Sequence, residues 1–223
     1  MYDFYVGIDQ SLTGTGICVV DKSGDIVKMR LIAPPKKFSR GVPRLDFICR
    51  SILEFIADLQ GSVATVREGY SYGSKGRSVF DLGELGGCID LSLFMRRRVD
   101  PPEETRTRHF VVSPSVMKKW SLGQGDVKKD TSYLMKVLQK TGIQFPDDNQ
   151  ADAYMHARAL RAVFMIFEGT MGIGELTEVQ RECFFSGARM KAEKLTKSKL
   201  KKLENEEFRT ILGKIIEEDY LSF

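Results

Sequence analysis

Short apolar runs and amphipathic stretches alternate along most of the chain. Three runs, Tyr2 to Ile8, Thr15 to Val20 and Ile26 to Ile32, are rich in β-branched and aromatic residues and are separated by polar turns. Runs of this kind predict three strands joined by short turns, which is typical of antiparallel neighbours. Between Val42 and Gln60 the apolar residues recur at helical spacing, which predicts an amphipathic helix.

Strands and helices alternate in the pattern that follows. Ser62 to Arg67 is a short apolar run that predicts a fourth strand, and Glu68 comes directly after it. The further predicted elements are a helix over 78–95, a strand over 110–112, a helix from Pro114 towards Trp120, a helix over 127–141 that ends at Gly142, and a helix from Asp147 to Phe167. This order predicts an α/β fold, a mixed sheet with helices packed on its faces. Functional side chains are then expected at strand ends.

The character of the chain changes at Gly169. Residues 169–174 are rich in glycine, and the remainder is helical in composition, with seven basic and one acidic side chain over 189–202 and two basic and six acidic over 203–223. We therefore predict a main domain over 1–168 and a helical, charge-segregated C-terminal extension over 169–223. The basic half of the extension either pairs with the acidic half in a solvated hairpin or contacts nucleic acid.

Composition narrows the class of protein. A chain of 223 residues, 42% of them hydrophobic, suffices for one sizeable core with an appendage. The net charge of +4 is mild for a nucleic-acid-binding protein, so a basic surface must come from local segregation of charge. The four cysteines lack the spacing of a zinc site. With neither a signal-peptide pattern nor a long apolar run, we expect reduced thiols and a cytoplasmic location.

Four carboxylates occupy positions where a metal-dependent nuclease would need them. Asp9 ends the first apolar run, Glu68 follows the fourth, and Asp148 and Asp152 lie four residues apart at the start of a helix. An acid after Val63–Val66 is poor strand material, and Arg67 would point to the opposite face of the strand from Glu68. Each residue also has an ordinary explanation, since Asp9 suits a turn and acids are favoured in a first helical turn.

Carboxylate oxygens suit Mg²⁺ or Mn²⁺, and Mg²⁺ takes only one or two protein carboxylates per ion. Four acids therefore suit two ions that share ligands. Two ions about 3.5–4 Å apart would hold a scissile phosphate between them, which predicts phosphodiester hydrolysis.

Basic and aromatic side chains near these acids supply candidate contacts to a DNA backbone. Individually each is more typical of a solvated surface residue or of packing. The candidates for DNA binding are Tyr70, Tyr72, Lys75, Arg77, Lys118, Lys119, Lys128 and Lys129. His156 lies one helical turn after Asp152 and is a further residue that would face the same site.

Four stretches together resemble the RuvC-type Holliday junction resolvases of the RNase H-like superfamily, particularly the bacteriophage versions. They are GIDQSLTGTGICVVD from residue 7, REGYSYGSKGRSVFDLGELGG from 67, VSPSVMKKWSLGQGDVKKD from 112 and DDNQADAYMHA from 147. The resemblance implies a mixed five-stranded sheet flanked by helices and a homodimer with two active sites. It further implies symmetric nicking of four-way DNA junctions with Mg²⁺ or Mn²⁺.

Carried over by position, the resemblance assigns the first-strand acid to Asp9, the second to Glu68 and the last helical acid to Asp152. Lys129 matches the family's basic residue after a GxG turn. In many family members the remaining ligand lies three residues before the last acid, and this chain has Asn149 there. We therefore assign the fourth ligand to Asp148, with Asp147 as the alternative.

Three other functions are compatible with parts of the sequence. A less selective nuclease would also cut flaps and Y-junctions, and a non-catalytic junction-binding protein would need no acids, although all four are retained. A sugar kinase or ATPase of the actin-like fold would use Gly7-Ile8-Asp9 as a first phosphate loop. No second phosphate loop or adenosine-binding glycine pair follows, which disfavours this third reading.

Overall fold

The structure is a computed structural model that describes residues 2–69, 77–99, 107–123, 132–183, 196 and 202–217. Its five strands are β1 (Phe4–Asp9), β2 (Thr15–Asp21), β3 (Ile26–Ile32), β4 (Val63–Glu68) and β5 (Thr107–Val112). The α-helices in this part of the chain are α1 (Gly41–Ile56), α2 (Arg77–Val99), α3 (Pro114–Leu122), α4 (Tyr133–Thr141), α5 (Asp148–Glu168), α6 (Glu178–Cys183) and α7 (Asn205–Glu217). Single turns of 3₁₀-helix occur at Lys36–Phe38 and Ile173–Glu175.

The strands form one mixed sheet in the order β3-β2-β1-β4-β5. The first three strands are antiparallel neighbours, as the short turns predict, whereas β1 pairs in parallel with β4, and β4 with β5. The carboxyl ends of β1 and β4 therefore lie side by side, with Ile8 opposite Arg67. This topology confirms the predicted five-stranded mixed sheet, and it brings the residues that follow β1 and β4 to one edge.

Alternate side chains of each strand enter two separate hydrophobic cores. Val6 and Ile8 of β1 face a core built with α1 and α2, while Tyr5 faces the other, built with α3, α4, α5 and α7. Asp9 and Glu68 have the strand parity of the α5 side, because side chains alternate along a strand. The acids predicted from strand ends thus share one face with the helix that carries Asp148 and Asp152.

Two glycines allow the backbone of α5 to lie directly on the sheet. A Cβ atom added to Gly7 would lie 1.9 Å from the carbonyl oxygen of Ala153, and one added to Gly16 would lie 2.1 Å from that of Asn149. Real side chains do not approach so closely, so only glycine fits at either position. Gly16 is paired with Asp9 across the β1–β2 ladder. The first turn of α5 is consequently held beside Asp9.

The described part of the extension contributes to the main core. Phe208, Leu212 and Ile216 of α7 are buried in the same cluster as α5. Arg209 donates from Nε to the carbonyl of Ile166, 3.2 Å away. The described part of the acidic half, residues 203–217, therefore packs on α5, whereas the sequence suggested a solvated hairpin as one option. Most of the basic half, 189–202, lies outside the described residues.

The remaining differences between predicted and observed elements are local. β5 begins at Thr107, three residues before the predicted strand, and α2 extends to Val99. Gly142 ends α4 with φ of +71°, as its sequence predicts, while 127–131 of that predicted helix lie outside the described residues. All four cysteines are free, and three are buried. No helix among the described residues is long and apolar enough to cross a membrane.

Candidate active site

Asp9 is the last residue of β1 and is almost completely buried, with 3% of its surface exposed. The turn after it is closed by the side chain of Thr15, which bonds to the main chain of Ser11. The hydroxyl of Thr15 donates to the carbonyl of Ser11 at 2.7 Å, and the Ser11 amide donates back to Thr15 Oγ1 at 3.2 Å. Strand β1 and this closed turn fix the backbone that carries the Asp9 carboxylate.

At the start of α5, Asp147 differs from Asp148 in its hydrogen bonding. Asp147 is the N-cap: its Oδ1 accepts from the Gln150 amide at 2.8 Å, and its Oδ2 accepts from the Gln150 side chain at 2.5 Å. Both oxygens are thus engaged in starting the helix. Asp148 and Asp152 are one turn apart and share a face of α5. Among the candidates for the fourth ligand, this arrangement favours Asp148 over Asp147.

Tyr133 connects these acids from the first turn of α4. Its hydroxyl donates a short hydrogen bond to Oδ1 of Asp152, which is 9% exposed. Burial, followed by the negative charge of Asp152, raises the pKa of Tyr133, and Asp9 and Asp148 raise it further. The negative charges of three carboxylates from β1 and α5 therefore favour the protonated form of the Tyr133 phenol. The phenol keeps its proton and donates a hydrogen bond to Asp152.

Glu68 faces the same place from the end of β4. It lines a small polar cavity of about 10 Å³, roughly the space of one water molecule. The other side chains that line this cavity are Met117, Lys118, Ser121, Tyr133, Asp152, Met155 and His156. Glu68, Asp152 and His156 thus border a common space.

Behind Glu68, on the opposite face of the sheet, lies a network of four side chains. Arg67, which is 2% exposed, donates from Nε and Nη2 to the two oxygens of Asp90 on α2, at 2.5 and 2.6 Å. Its Nη1 donates to the main-chain carbonyl of Glu68 at 2.9 Å. His109 lies 2.8 Å from Asp90 through Nε2 and 2.7 Å from the Thr65 hydroxyl through Nδ1. Arg67 and Glu68 thus point to opposite faces, as strand alternation predicts.

Protonation within this network follows from burial and charge. Burial would raise the pKa of Asp90, but hydrogen bonds and charge from Arg67 and His109 outweigh it and lower the pKa to about 2. Burial lowers the pKa of His109 despite the nearby Asp90 carboxylate. The network at neutral pH therefore consists of an ionised Asp90, a charged Arg67 and a neutral His109.

The donor set at the site fits a hard divalent cation. Asp9, Glu68, Asp148 and Asp152 offer only oxygen ligands, which suit Mg²⁺ or Mn²⁺. Within the described ranges, no three acidic, histidine or cysteine side chains already form a group that would hold one ion. Mg²⁺ usually takes one or two protein carboxylates and keeps water for its other positions. Two of these acids would therefore suffice as protein ligands for one such ion.

The predicted DNA-binding residues fall into three groups. Lys118 borders the cavity beside Glu68. Lys119 points instead to α6, where its Nζ is 2.8 Å from Glu182, and this hydrogen bond raises the pKa of Lys119. Arg77 begins α2, but its side chain is not among those described. Tyr70, Tyr72, Lys75, Lys128 and Lys129 lie outside the described residues.

Sequence reasoning missed two parts of the site, Tyr133 and the Arg67 network. Tyr133 contacts Asp152, which lies 19 residues further along the chain. From sequence alone, a tyrosine in an amphipathic stretch is interpreted as a core residue. An available signal was the buried-type strand sequence that ends in two charged residues, Arg67 and Glu68. Since Arg67 cannot pair with its neighbour, it required an acid from another element.

Comparison with known proteins finds similarity at the level of structure. Neither models of protein families nor curated protein sequences match the chain. The structure of RuvC from Thermus thermophilus matches with a TM-score of 0.53 and 19% sequence identity over 75% of this chain and 97% of that chain. The same protein in complex with a Holliday junction substrate matches with a TM-score of 0.52 and 18% identity over 75% of this chain and 96% of that one. The chain therefore has the RuvC fold.

Proposed function

We propose that this protein is a metal-dependent, structure-selective DNA endonuclease that nicks four-way junctions symmetrically. The carrying observation is the approach of buried acids from β1 and α5 to Tyr133, with Glu68 from β4 on the same cavity. Acids that cost free energy to bury, gathered at the carboxyl edge of a sheet, are typical of a catalytic site. The RuvC fold, seen elsewhere with a junction substrate, supports this class of nuclease.

In this proposal the four acids hold two Mg²⁺ or Mn²⁺ ions. The bound ions would supply an activated water and would stabilise the leaving 3′ oxygen of the phosphodiester. Asp9 and Asp152 are the rigid ligands, because strand β1 and helix α5 fix their backbones. Tyr133 donates a hydrogen bond to Oδ1 of Asp152 and so helps to orient this carboxylate. Lys118 beside Glu68 is suited to contact a DNA phosphate.

The proposal includes a homodimer, with branched DNA as the partner. Helix α2 presents large apolar side chains to solvent at helical spacing, with Leu91 60% exposed. Phe80, Phe94 and Met95 are also exposed, and a Cβ atom added to Gly87 would meet nothing within 4 Å. An apolar helix face with room for close approach fits a second copy of the same helix across a two-fold axis.

The decisive experiment compares the wild type with Asp9→Asn and Glu68→Gln on a synthetic four-way junction in Mg²⁺. We expect each variant to bind the junction normally without divalent ions and to lose on the order of 100-fold or more in cleavage rate. Asp46→Asn and Glu54→Gln on α1 make the same chemical changes on an exposed surface and serve as controls. Undiminished cleavage by either site variant would remove that residue from the mechanism.

Substrate selectivity separates the proposal from its alternatives. A panel of four-way junctions, flaps, Y-junctions and linear duplexes should show fastest cleavage of the four-way junction, with paired symmetric nicks. Equal rates on flaps and Y-junctions would favour the less selective nuclease. Tight junction binding without cleavage in Mg²⁺ or Mn²⁺ would favour a non-catalytic binding protein.

A further inference from the structure

Glu68 occupies a position where a strand alone would hold it poorly. It is the last residue of β4, where it is still paired with Val112 of β5, but the parallel ladder with β1 ends one residue earlier, at Ile8 and Arg67. Residues at the end of a ladder lack part of their hydrogen bonding and open more easily than those inside it. A ligand at such a position needs support from outside the strand.

The structure supplies that support from both sides of the chain. On the β5 side, the amide of Gly69 donates to the carbonyl of Val112 at 2.6 Å. The Glu68 carbonyl accepts from Nη1 of Arg67 at 2.9 Å. The peptide that follows Glu68 is therefore fixed at its carbonyl by a side chain and at its amide by a neighbouring strand.

Arg67 can serve as this donor because Asp90 orients it. The guanidinium is planar, and its Nε and Nη2 form a bidentate pair with the two Asp90 oxygens, which sets the direction of Nη1. Asp90 is in turn held by His109, whose other ring nitrogen contacts Thr65 on β4. The chain of contacts begins and ends on β4, and α2 supplies its central carboxylate.

We infer that Arg67 and Asp90 are positioning residues that fix the main chain of Glu68 so that its carboxylate meets the metal site. The inference rests on the proposed function. Neither side chain touches a metal or substrate in this scheme, since both lie on the opposite face of the sheet from Glu68. Their effect on metal binding is transmitted through the Glu68 main chain.

The test measures metal affinity directly as well as cleavage. Calorimetric titration of the full-length protein with Mn²⁺, without DNA, is compared for the wild type, Asp90→Asn, Glu68→Gln and the double variant. Loss of a residue that orients a metal ligand typically costs about 10- to 100-fold in affinity. We expect Asp90→Asn to weaken Mn²⁺ binding about 10-fold. The Mg²⁺ concentration for half-maximal junction cleavage should rise by a similar factor, with the maximal rate restored at high Mg²⁺.

A merely stabilising role for Asp90 predicts a different pattern. If the network acts through Glu68, Asp90→Asn will have no further effect on Mn²⁺ affinity in the Glu68→Gln background. Equal losses in both backgrounds, or an unchanged Mn²⁺ affinity in the single variant, would overturn the inference. Asp46→Asn breaks the exposed ion pair between Asp46 and Arg50 on α1. It is the matched control and should leave Mn²⁺ affinity unchanged.

The test also covers a variant that does not fold and a failure of the proposed function itself. If Asp90→Asn does not fold, the double variant Arg67→Met with Asp90→Leu removes both charges together and takes its place, with the same expected loss of affinity. Wild-type protein that neither binds Mn²⁺ nor cleaves junctions would refute the proposed function itself. Wild-type protein that does both, beside an Asp90→Asn variant equal to it, would refute only the positioning role.

Discussion

Tyr133 shows how one uncharged side chain determines the state of a cluster of acids. Burial and three nearby carboxylates raise the pKa of Tyr133, so the phenol remains a donor at all physiological pH values. The hydroxyl donates a hydrogen bond to Oδ1 of Asp152. A buried carboxylate without a hydrogen-bond donor or a cation would be costly, and the Tyr133 hydroxyl supplies Asp152 with such a donor.

Replacing Tyr133 with phenylalanine should therefore destabilise the protein without removing its apolar packing. We expect Tyr133→Phe to lower the free energy of unfolding by about 1.5–3 kcal/mol, the range for hydrogen bonds to charged groups. Urea denaturation without divalent ions measures the loss. In the Asp152→Asn background the same change should cost less, because the charge is gone. An equal cost in both backgrounds would contradict the assigned hydrogen bond.

The acids of the site were predictable from sequence to different degrees. Asp9 and Asp152 follow from local patterns, a strand that ends in an acid and a helix that begins with one. The preference for Asp148 over Asp147 as the proposed fourth ligand rests on the observed N-cap, because both acids suit the start of a helix. Tyr133 became visible only through tertiary packing, which no local periodicity encodes.

Helix α5 is the element that assembles the site. Its start signal, Pro146 followed by Asp147, predicted its position along the chain, and the structure confirms a helix from Asp148 to Glu168. The closeness of its contact with the sheet was not predictable, since Gly7 and Gly16 read equally well as turn or strand glycines. β5 was predicted too short because His109, a polar residue in it, is paired internally with Asp90.

Adding one methyl group at Gly7 should displace α5 from the sheet. The new Cβ would lie 1.9 Å from the Ala153 carbonyl oxygen, which belongs to backbone that no rotamer change can move. We expect Gly7→Ala to lower the unfolding free energy by about 3 kcal/mol or more. Gly174→Ala, where the added atom meets nothing within 4 Å, is the control and should change it by under about 1 kcal/mol. Similar urea midpoints for the two variants would contradict the close contact.

On the scale of the whole molecule, the two faces of the sheet carry different groups of side chains. The acids and α5 lie on one face, while α1, α2 and the Arg67 network lie on the other. Composition and element order predicted the mixed sheet and its helical layers. They did not predict that α7 would belong to the main core. The clearest pattern in the tail sequence is its segregation of charge, and the apolar spacing of Phe208, Leu212 and Ile216 is less evident beside it.

The exposed apolar face of α2 gives the proposed homodimer a direct test. A charge at Leu91 would have to be buried against the second copy, so we expect Leu91→Asp to convert a dimer into a monomer at micromolar concentration. Sedimentation equilibrium measures the change. Val42→Asp on α1, at a residue that is 75% exposed, is the matched control and should remain dimeric. A wild-type monomer, or a dimeric Leu91→Asp variant, would place association elsewhere or exclude it.

The contact of α5 with Gly7 and Gly16 also makes the four acids unequal in mechanical terms. The backbone of α5 lies directly against the backbones of β1 and β2. The distance between the main chains of Asp9 and Asp152 therefore changes only if the whole helix leaves the sheet, and that motion would disrupt the main core. The main chain of Glu68 is instead held through a single peptide, by Nη1 of Arg67 and by the Val112 carbonyl. Close backbone packing therefore restrains Asp9 and Asp152, whereas a pair of hydrogen bonds restrains Glu68, and loss of that pair would move Glu68 alone.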